Sequence, residues 1–205
     1  LILDLPVAAA EGVEIGAADA LFTAVSAVCV TGLAVLDTAT QFSFTGQLMI
    51  LVLIQLGGLG IMTFSTLILR ALGRRVSLRH EGAVAGILSH HDRGGLTAVA
   101  RKLILLTAVC EGLGALALFV GFLAAGDAPL EAAWRGIFTS VSAFCNAGFA
   151  IQSDSLVSYQ HAPWILHTVA GLIIVGVLAP IVAIVHRRDA GKGGPRSLSL
   201  HMKIA

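Results

Sequence analysis

Charge is scarce in this sequence. Asp, Glu, Lys and Arg make up 12% of the 205 residues, against about 25% in an ordinary globular domain. A soluble protein of this size has a large surface to cover, and 12 acidic plus 13 basic residues do not cover it. A soluble single-domain enzyme is therefore not expected. The net charge of +1 gives nucleic acid no bulk electrostatic hold, so no nucleic-acid partner is expected either. Cysteine is also sparse: three residues, none in a Cys-x-x-Cys pair, supply neither a disulfide framework nor a structural zinc site. No Gly-x-Ser-x-Gly turn is present, and His167 is the only histidine well inside an apolar run. That leaves an intramembrane hydrolase with little support; no catalytic residue and no covalent cofactor are expected. The chain opens without Met or a basic n-region, so Val7-Ala8-Ala9-Ala10 makes a poor signal-peptide end. The opening reads as the exit of a helix, and residues 197–205 stop where another could start. The chain is expected to be a fragment.

What is abundant is apolar: 57% of residues, with a mean hydropathy of +0.91. Three runs stand out. Residues 47–69 carry no formal charge and end at Arg70, Arg74 and Arg75. Residues 103–125 follow Arg101 and Lys102 and hold one charge, Glu111. Residues 163–185 are uncharged and run into His186, Arg187 and Arg188. At ~1.5 Å per residue each can cross a hydrocarbon core of ~30 Å. Their glycines suit close packing of membrane helices. Two further segments, 18–29 and 132–145, are helix-compatible but too short to cross. Each ends in a Gly-containing stretch and then polar residues, the pattern of a re-entrant half-helix. The fold class is all-α membrane protein.

The charges orient it. Twelve of the 13 Lys and Arg lie in residues 70–102 and 187–203, and Arg135 is the exception. The positive-inside rule makes 70–102 and 186–203 cytoplasmic. Asp4, Glu11, Glu14, Asp19, Asp37, Asp127, Glu131 and Asp154 fall on the other side. They either draw cations toward a mouth or simply keep loops solvated.

The sequence also repeats itself. Phe22-Thr-Ala-Val-Ser-Ala-Val-Cys-Val-Thr-Gly-Leu-Ala-Val35 aligns without gaps to Phe138-Thr-Ser-Val-Ser-Ala-Phe-Cys-Asn-Ala-Gly-Phe-Ala-Ile151, identical at 8 of 14 positions at an offset of 116. A spanning run and a basic tail follow each copy. The repeating unit reads as span, short pore-type helix, Gly-containing loop, span. Ion dehydration gives such a unit a purpose. A cation leaving water needs fixed oxygens, and backbone carbonyls provide them without net charge. Non-helical backbone at membrane depth is tolerated only where it lines a wet cavity or is buried in protein. Gly32 and Gly148 permit the positive φ that turns carbonyls toward one axis, and the partly negative helix C-termini favour a cation there. Two loops do not close a ring; four-fold coordination needs two more repeats or a partner chain.

At these residues the sequence resembles the Trk/Ktr potassium transporter family, specifically the Ktr-type membrane subunit. The resemblance is carried by Thr23-Ala-Val-Ser-Ala-Val-Cys-Val-Thr-Gly-Leu33, Asp37-Thr38, Gly46-Gln47, Gln55-Leu-Gly-Gly-Leu-Gly-Ile-Met-Thr63 and Phe144-Cys-Asn-Ala-Gly-Phe149. It implies a pseudo-fourfold pore in the complete protein, built from repeated span–pore helix–filter loop–span units. Residues 1–80 are then the end of a first repeat (pore helix 18–29, filter loop 30–35, span 47–69), and 81–102 a cytoplasmic loop. Residues 103–185 form a second repeat (span 103–125, pore helix 132–145, filter loop 146–151, span 163–185). Residues 186–205 connect to the start of a third. The implied filter residues are Val30, Thr31, Gly32 and Leu33, with Asn146, Ala147, Gly148 and Phe149. Potassium is the transported ligand, held by the carbonyls of Thr31, Gly32, Ala147 and Gly148. The implied setting is the inner membrane of a prokaryote, as a homodimer on a cytosolic nucleotide-binding regulatory ring. Sodium or proton coupling is left open. A tandem-pore potassium channel shares the span–pore–span plan but would show Thr-x-Gly-Tyr/Phe-Gly filters, which Val-Thr-Gly-Leu-Ala does not match. With one glycine per loop, fewer ion sites and looser selectivity are expected.

Plainer readings stand beside these. Gly57-Gly58-Leu59-Gly60 lies in a span with no preceding strand, so it reads as close packing rather than a phosphate loop. Gln55 reads as filter support, bonding a neighbouring helix or the back of the filter. Glu111 is either functional, as intramembrane carboxylates commonly are, or a buried acid bonded to backbone N–H groups behind the filter. Cys29 and Cys145 read as small packing residues, and His90-His91 as exposed. Arg135 either repels cations at a mouth or snorkels to the interface. Thr23/Ser26 and Thr139/Ser142 either back-bond within their helices or support the filter.

Overall fold

The computed structural model describes residues 2–74 and 93–190. His90, His91, most of the loop read as cytoplasmic and the start of a third repeat lie outside the described residues. Among the described residues the fold is helical, without strands, apart from an isolated bridge between Ala9 and Phe42. Six α-helices follow in order: α1 (Ala17–Val28), α2 (Thr38–Gln41), α3 (Phe44–Arg74), α4 (Arg93–Ala124), α5 (Pro129–Cys145) and α6 (Pro163–Ala190). Single 3-10 turns occupy Ile2–Asp4 and Val157–Tyr159.

The long helices α3 and α4 contain stretches apolar and long enough to cross a bilayer, Phe44–Ser65 and Ala100–Ala124. Less than a third of either stretch is buried, so most of their apolar surface faces outward, the reverse of a soluble core helix. The apolar part of α6, Pro163–Ala179, has the same character over a shorter described length.

Local chemistry sets the ends of the short helices. Pro129 opens α5 at its first position, three residues earlier than the sequence suggests, where a missing N–H costs nothing. Glu131 sits in that first turn, favoured by the helix dipole. Asp37 caps α2, its carboxylate accepting from the Ala39 N–H at 3.0 Å and from the Thr40 hydroxyl at 3.0 Å.

Two apolar cores organise the packing. One gathers α1, α3 and one side of α5 around Ile50, Ile54 and Phe138. The other joins α4, α5 and α6 around Phe122, Phe144 and Ile165. Helices α3 and α5 belong to both, Met62 of α3 lying in the second core, so these two elements join the halves. Glycine brings α3 and α6 against the short helices. A Cβ at Gly57 would collide with the Val28 carbonyl, and one at Gly176 with the Phe144 carbonyl. Val28 and Phe144 are repeat partners, 116 residues apart, whereas Gly57 and Gly176 are 119 apart. The second copy therefore carries three extra residues between its loop and its following helix, which an ungapped alignment ending at residue 151 does not reveal.

Candidate functional site

The two short helices stop in the same way. After α1, the Thr31 N–H donates to the Ser26 carbonyl (3.0 Å) and the Val30 N–H to that of Ala27 (3.2 Å). After α5, the Ala147 N–H donates to Ser142 (2.7 Å) and the Asn146 N–H to Ala143 (3.0 Å). This paired closure is a Schellman motif, and it requires a left-handed residue just past the helix. That residue is Val30 (φ 56°) in one copy and Asn146 (φ 61°) in the other. Gly32 (φ 70°) and Gly148 (φ 74°) supply a second left-handed residue two positions on. The sequence assigns the turn to the glycines alone; the structure divides it between glycine and a non-glycine residue. In a regular strand successive carbonyls point to opposite sides. Left-handed residues at alternate positions depart from that regular pattern in both loops.

A serine closes each loop. Ser26 Oγ donates to the Leu33 carbonyl and Ser142 Oγ to the Phe149 carbonyl, both at 2.6 Å. These serines reach across the loops to carbonyls seven residues on rather than back into their own helices. Thr23 and Thr139 are buried with hydroxyls that bond neither loop. The loops then meet backbone to backbone. A Cβ on Gly32 would lie 2.7 Å from the Ala147 carbonyl oxygen and 3.1 Å from Gly148 Cα. A cavity of about 280 Å³ sits over both, bounded by Gly32, Gly148, Asp37, Gln152 and Ser153. Burial would raise the Asp37 carboxyl, but hydrogen bonds from Ser153, the Ala39 N–H and Thr40 hold it below its ordinary 3.8. The copies differ in cover: Leu33 is 61% exposed and its partner Phe149 only 5%.

Gln55 and Glu111 meet behind α5. Gln55 Nε2 donates to Glu111 Oε2 at 3.2 Å, and the Cys145 thiol lies 3.7 Å from Glu111 Oε1. The partners of Glu111 are thus side chains of α3 and α5 rather than the backbone N–H groups expected of a buried acid. Mid-helix N–H groups are already committed to their own helices. Cys145 is buried while Cys29, its repeat partner, is exposed.

Arg135 is paired rather than free. It binds Asp127 at 2.7 Å and the Tyr159 hydroxyl at 3.0 Å, and that hydroxyl donates to Asp127 at 2.8 Å. A second tie is absent from the sequence-based expectations: Trp134 Nε1 donates to Gln47 Oε1 at 2.7 Å, joining α5 to the first turns of α3. The signal is present in the sequence, since an indole N–H in an apolar setting needs an acceptor and Gln47 opens an otherwise apolar run.

Apolar helices with outward-facing surface and no strand define the chain, over its described residues, as an all-α membrane protein. The TrkH family model, described as a cation transport protein, matches residues 4–188, and the chain belongs to that family. It is 38% identical to the Ktr system potassium uptake protein B of Vibrio alginolyticus, over 100% of this chain and 44% of that protein. Over 77% of the chain and 35% of the relative it is 41% identical to the protein of the same name from Bacillus subtilis. It is 35% identical to the potassium/sodium uptake protein NtpJ of Enterococcus hirae, over 100% and 44% respectively. The chain spans less than half the length of these curated relatives.

Proposed function

We propose that this chain is part of the ion-translocating membrane subunit of a potassium uptake system, working by selective permeation without covalent chemistry. Its filter residues are Val30, Thr31, Gly32 and Leu33 with Asn146, Ala147, Gly148 and Phe149. The carbonyls of Thr31, Gly32, Ala147 and Gly148 replace water around a dehydrating potassium ion. Helices α1 and α5 are pore helices, α3 and α6 the spans that follow them, and α4 the span that opens the second repeat. Two further units complete the ring in the whole protein, and the protein sits in a prokaryotic inner membrane with residues 70–102 and 186–203 in the cytoplasm. The name "Ktr system" borne by the Vibrio and Bacillus relatives supports a multi-component assembly, here a homodimer on a cytosolic nucleotide-binding ring.

The observation that carries this reading is the shared geometry of the two loops: the same alternating left-handed residues, the same serine bond to the last carbonyl, and contact at Gly32 and Gly148. Replacing Gly148 with Ser in the full-length protein adds a Cβ at φ 74°, 3.2 Å from Gly32 Cα. The variant is expected to insert normally and to lose potassium-over-sodium discrimination in a flux assay. Unchanged selectivity in correctly inserted protein would count against the filter assignment.

A further inference from the structure

We propose that Glu111 is a positioning residue that sets the second filter loop against the first repeat, a role that rests on the filter reading above. Three elements converge on its carboxyl: α4 carries it, α3 contributes Gln55 and α5 contributes Cys145. Cys145 is the last residue of α5, and Asn146 immediately after it begins the left-handed turn of the loop. Any displacement of the Cys145 side chain is therefore passed directly to the peptide that starts the filter.

The surrounding packing leaves the group little freedom. A Cβ at Gly58 would fall 2.5 Å from Cys145 Sγ, so α3 approaches α5 as closely as a glycine allows. A Cβ at Gly114 would fall 2.5 Å from Ser140 Oγ, and that hydroxyl donates to the Glu111 carbonyl at 2.8 Å. Polar atoms of Glu111 thus hold α5 at two places, through the main chain at Ser140 and through the side chain at Cys145. A carboxyl at membrane depth is costly to keep where an apolar side chain would pack. Its presence fits a task that needs a side-chain acceptor. Coordination of the ion is not that task, because one oxygen faces Gln55, the other faces Cys145, and Glu111 does not line the cavity above the loops.

The test uses the full-length protein in proteoliposomes, with transport normalised to inserted protein. Removing the acceptor in Glu111→Ala is expected to raise the KM for potassium roughly two- to tenfold at little change in maximal rate, the size of one or two lost hydrogen bonds. Glu111→Gln keeps a side-chain carbonyl oxygen and is expected to restore most of that loss. Gln55→Leu is expected to shift KM in the same direction by less, and to add nothing in combination with Glu111→Ala. An unchanged KM in both Glu111→Ala and Gln55→Leu would reduce Glu111 to packing. A Gln variant as impaired as the Ala variant would assign the effect to charge and overturn the positioning role. Should Glu111→Ala fail to insert, Gln55→Leu and Glu111→Gln decide by the same criteria. A Gly148→Ser control that leaves selectivity unchanged would instead remove the filter reading itself, so the two failures are distinct.

Discussion

Val30 and Asn146 share a backbone conformation but not a residue type. A left-handed backbone is tolerated by Asn, whose side chain bonds locally, but a β-branched residue there is strained. Asn146 uses that freedom, its Nδ2 donating to the Phe144 carbonyl at 3.2 Å. Val30 at φ 56° has no such bond and carries the strain, at a cost of order 1–3 kcal/mol. Val30→Asn is therefore expected to stabilise the first loop by about 1 kcal/mol. Thermal denaturation of the full-length protein in detergent would register this as a higher midpoint, and a lower one would show that the valine side chain supplies packing worth more than the strain. Nothing in the sequence distinguishes a left-handed valine from an ordinary one. The matched position holds Val in one copy and Asn in the other, and only the Asn hints at the backbone. The partners of Arg135 and Trp134 are hidden for a different reason. Asp127 and Gln47 are 8 and 87 residues away, and such pairings depend on how the helices pack.

Among the elements, the short helices are the most legible. Their length follows from where the apolar pattern meets glycine, and α1 and α5 end within a residue of the expected positions. The long helices are legible too, although α3 and α4 extend past their apolar stretches, because a helix does not stop where hydropathy does. Less legible is how a long helix sits on a short one. Only the structure shows that Gly57 and Gly176 receive equivalent carbonyls despite a three-residue slip in register. Gly57→Ala and Gly176→Ala are each expected to lower the yield of folded protein sharply, since the obstructing atom is backbone. A methyl group at Gly60 would meet no atom within 4 Å, so Gly60→Ala is expected to be neutral or to stabilise by up to about 1 kcal/mol. Size-exclusion yield across the three variants checks this; equal yields would refute the seating of the carbonyls.

For the molecule as a whole, the copies share a local fold but not an environment. Phe138 is fully buried in the core it shares with α1 and α3, whereas its partner Phe22 is 42% exposed on α1. Charge placement predicts which side each connection faces. Single cysteines placed at residues 75–92 are expected to resist a membrane-impermeant reagent added outside intact cells, while one at Asp154 is expected to react. Labelling of the former from outside would invert the topology. The alternating loops and their serine bonds have one further consequence. Because both copies are written in one continuous chain, each can be altered without touching the other. In an assembly of identical subunits one substitution changes every quadrant at once. Here Ser26 and Ser142 can be edited singly or together, so that under the proposed filter reading the protein is its own dose series for the effect of a loosened carbonyl on ion choice.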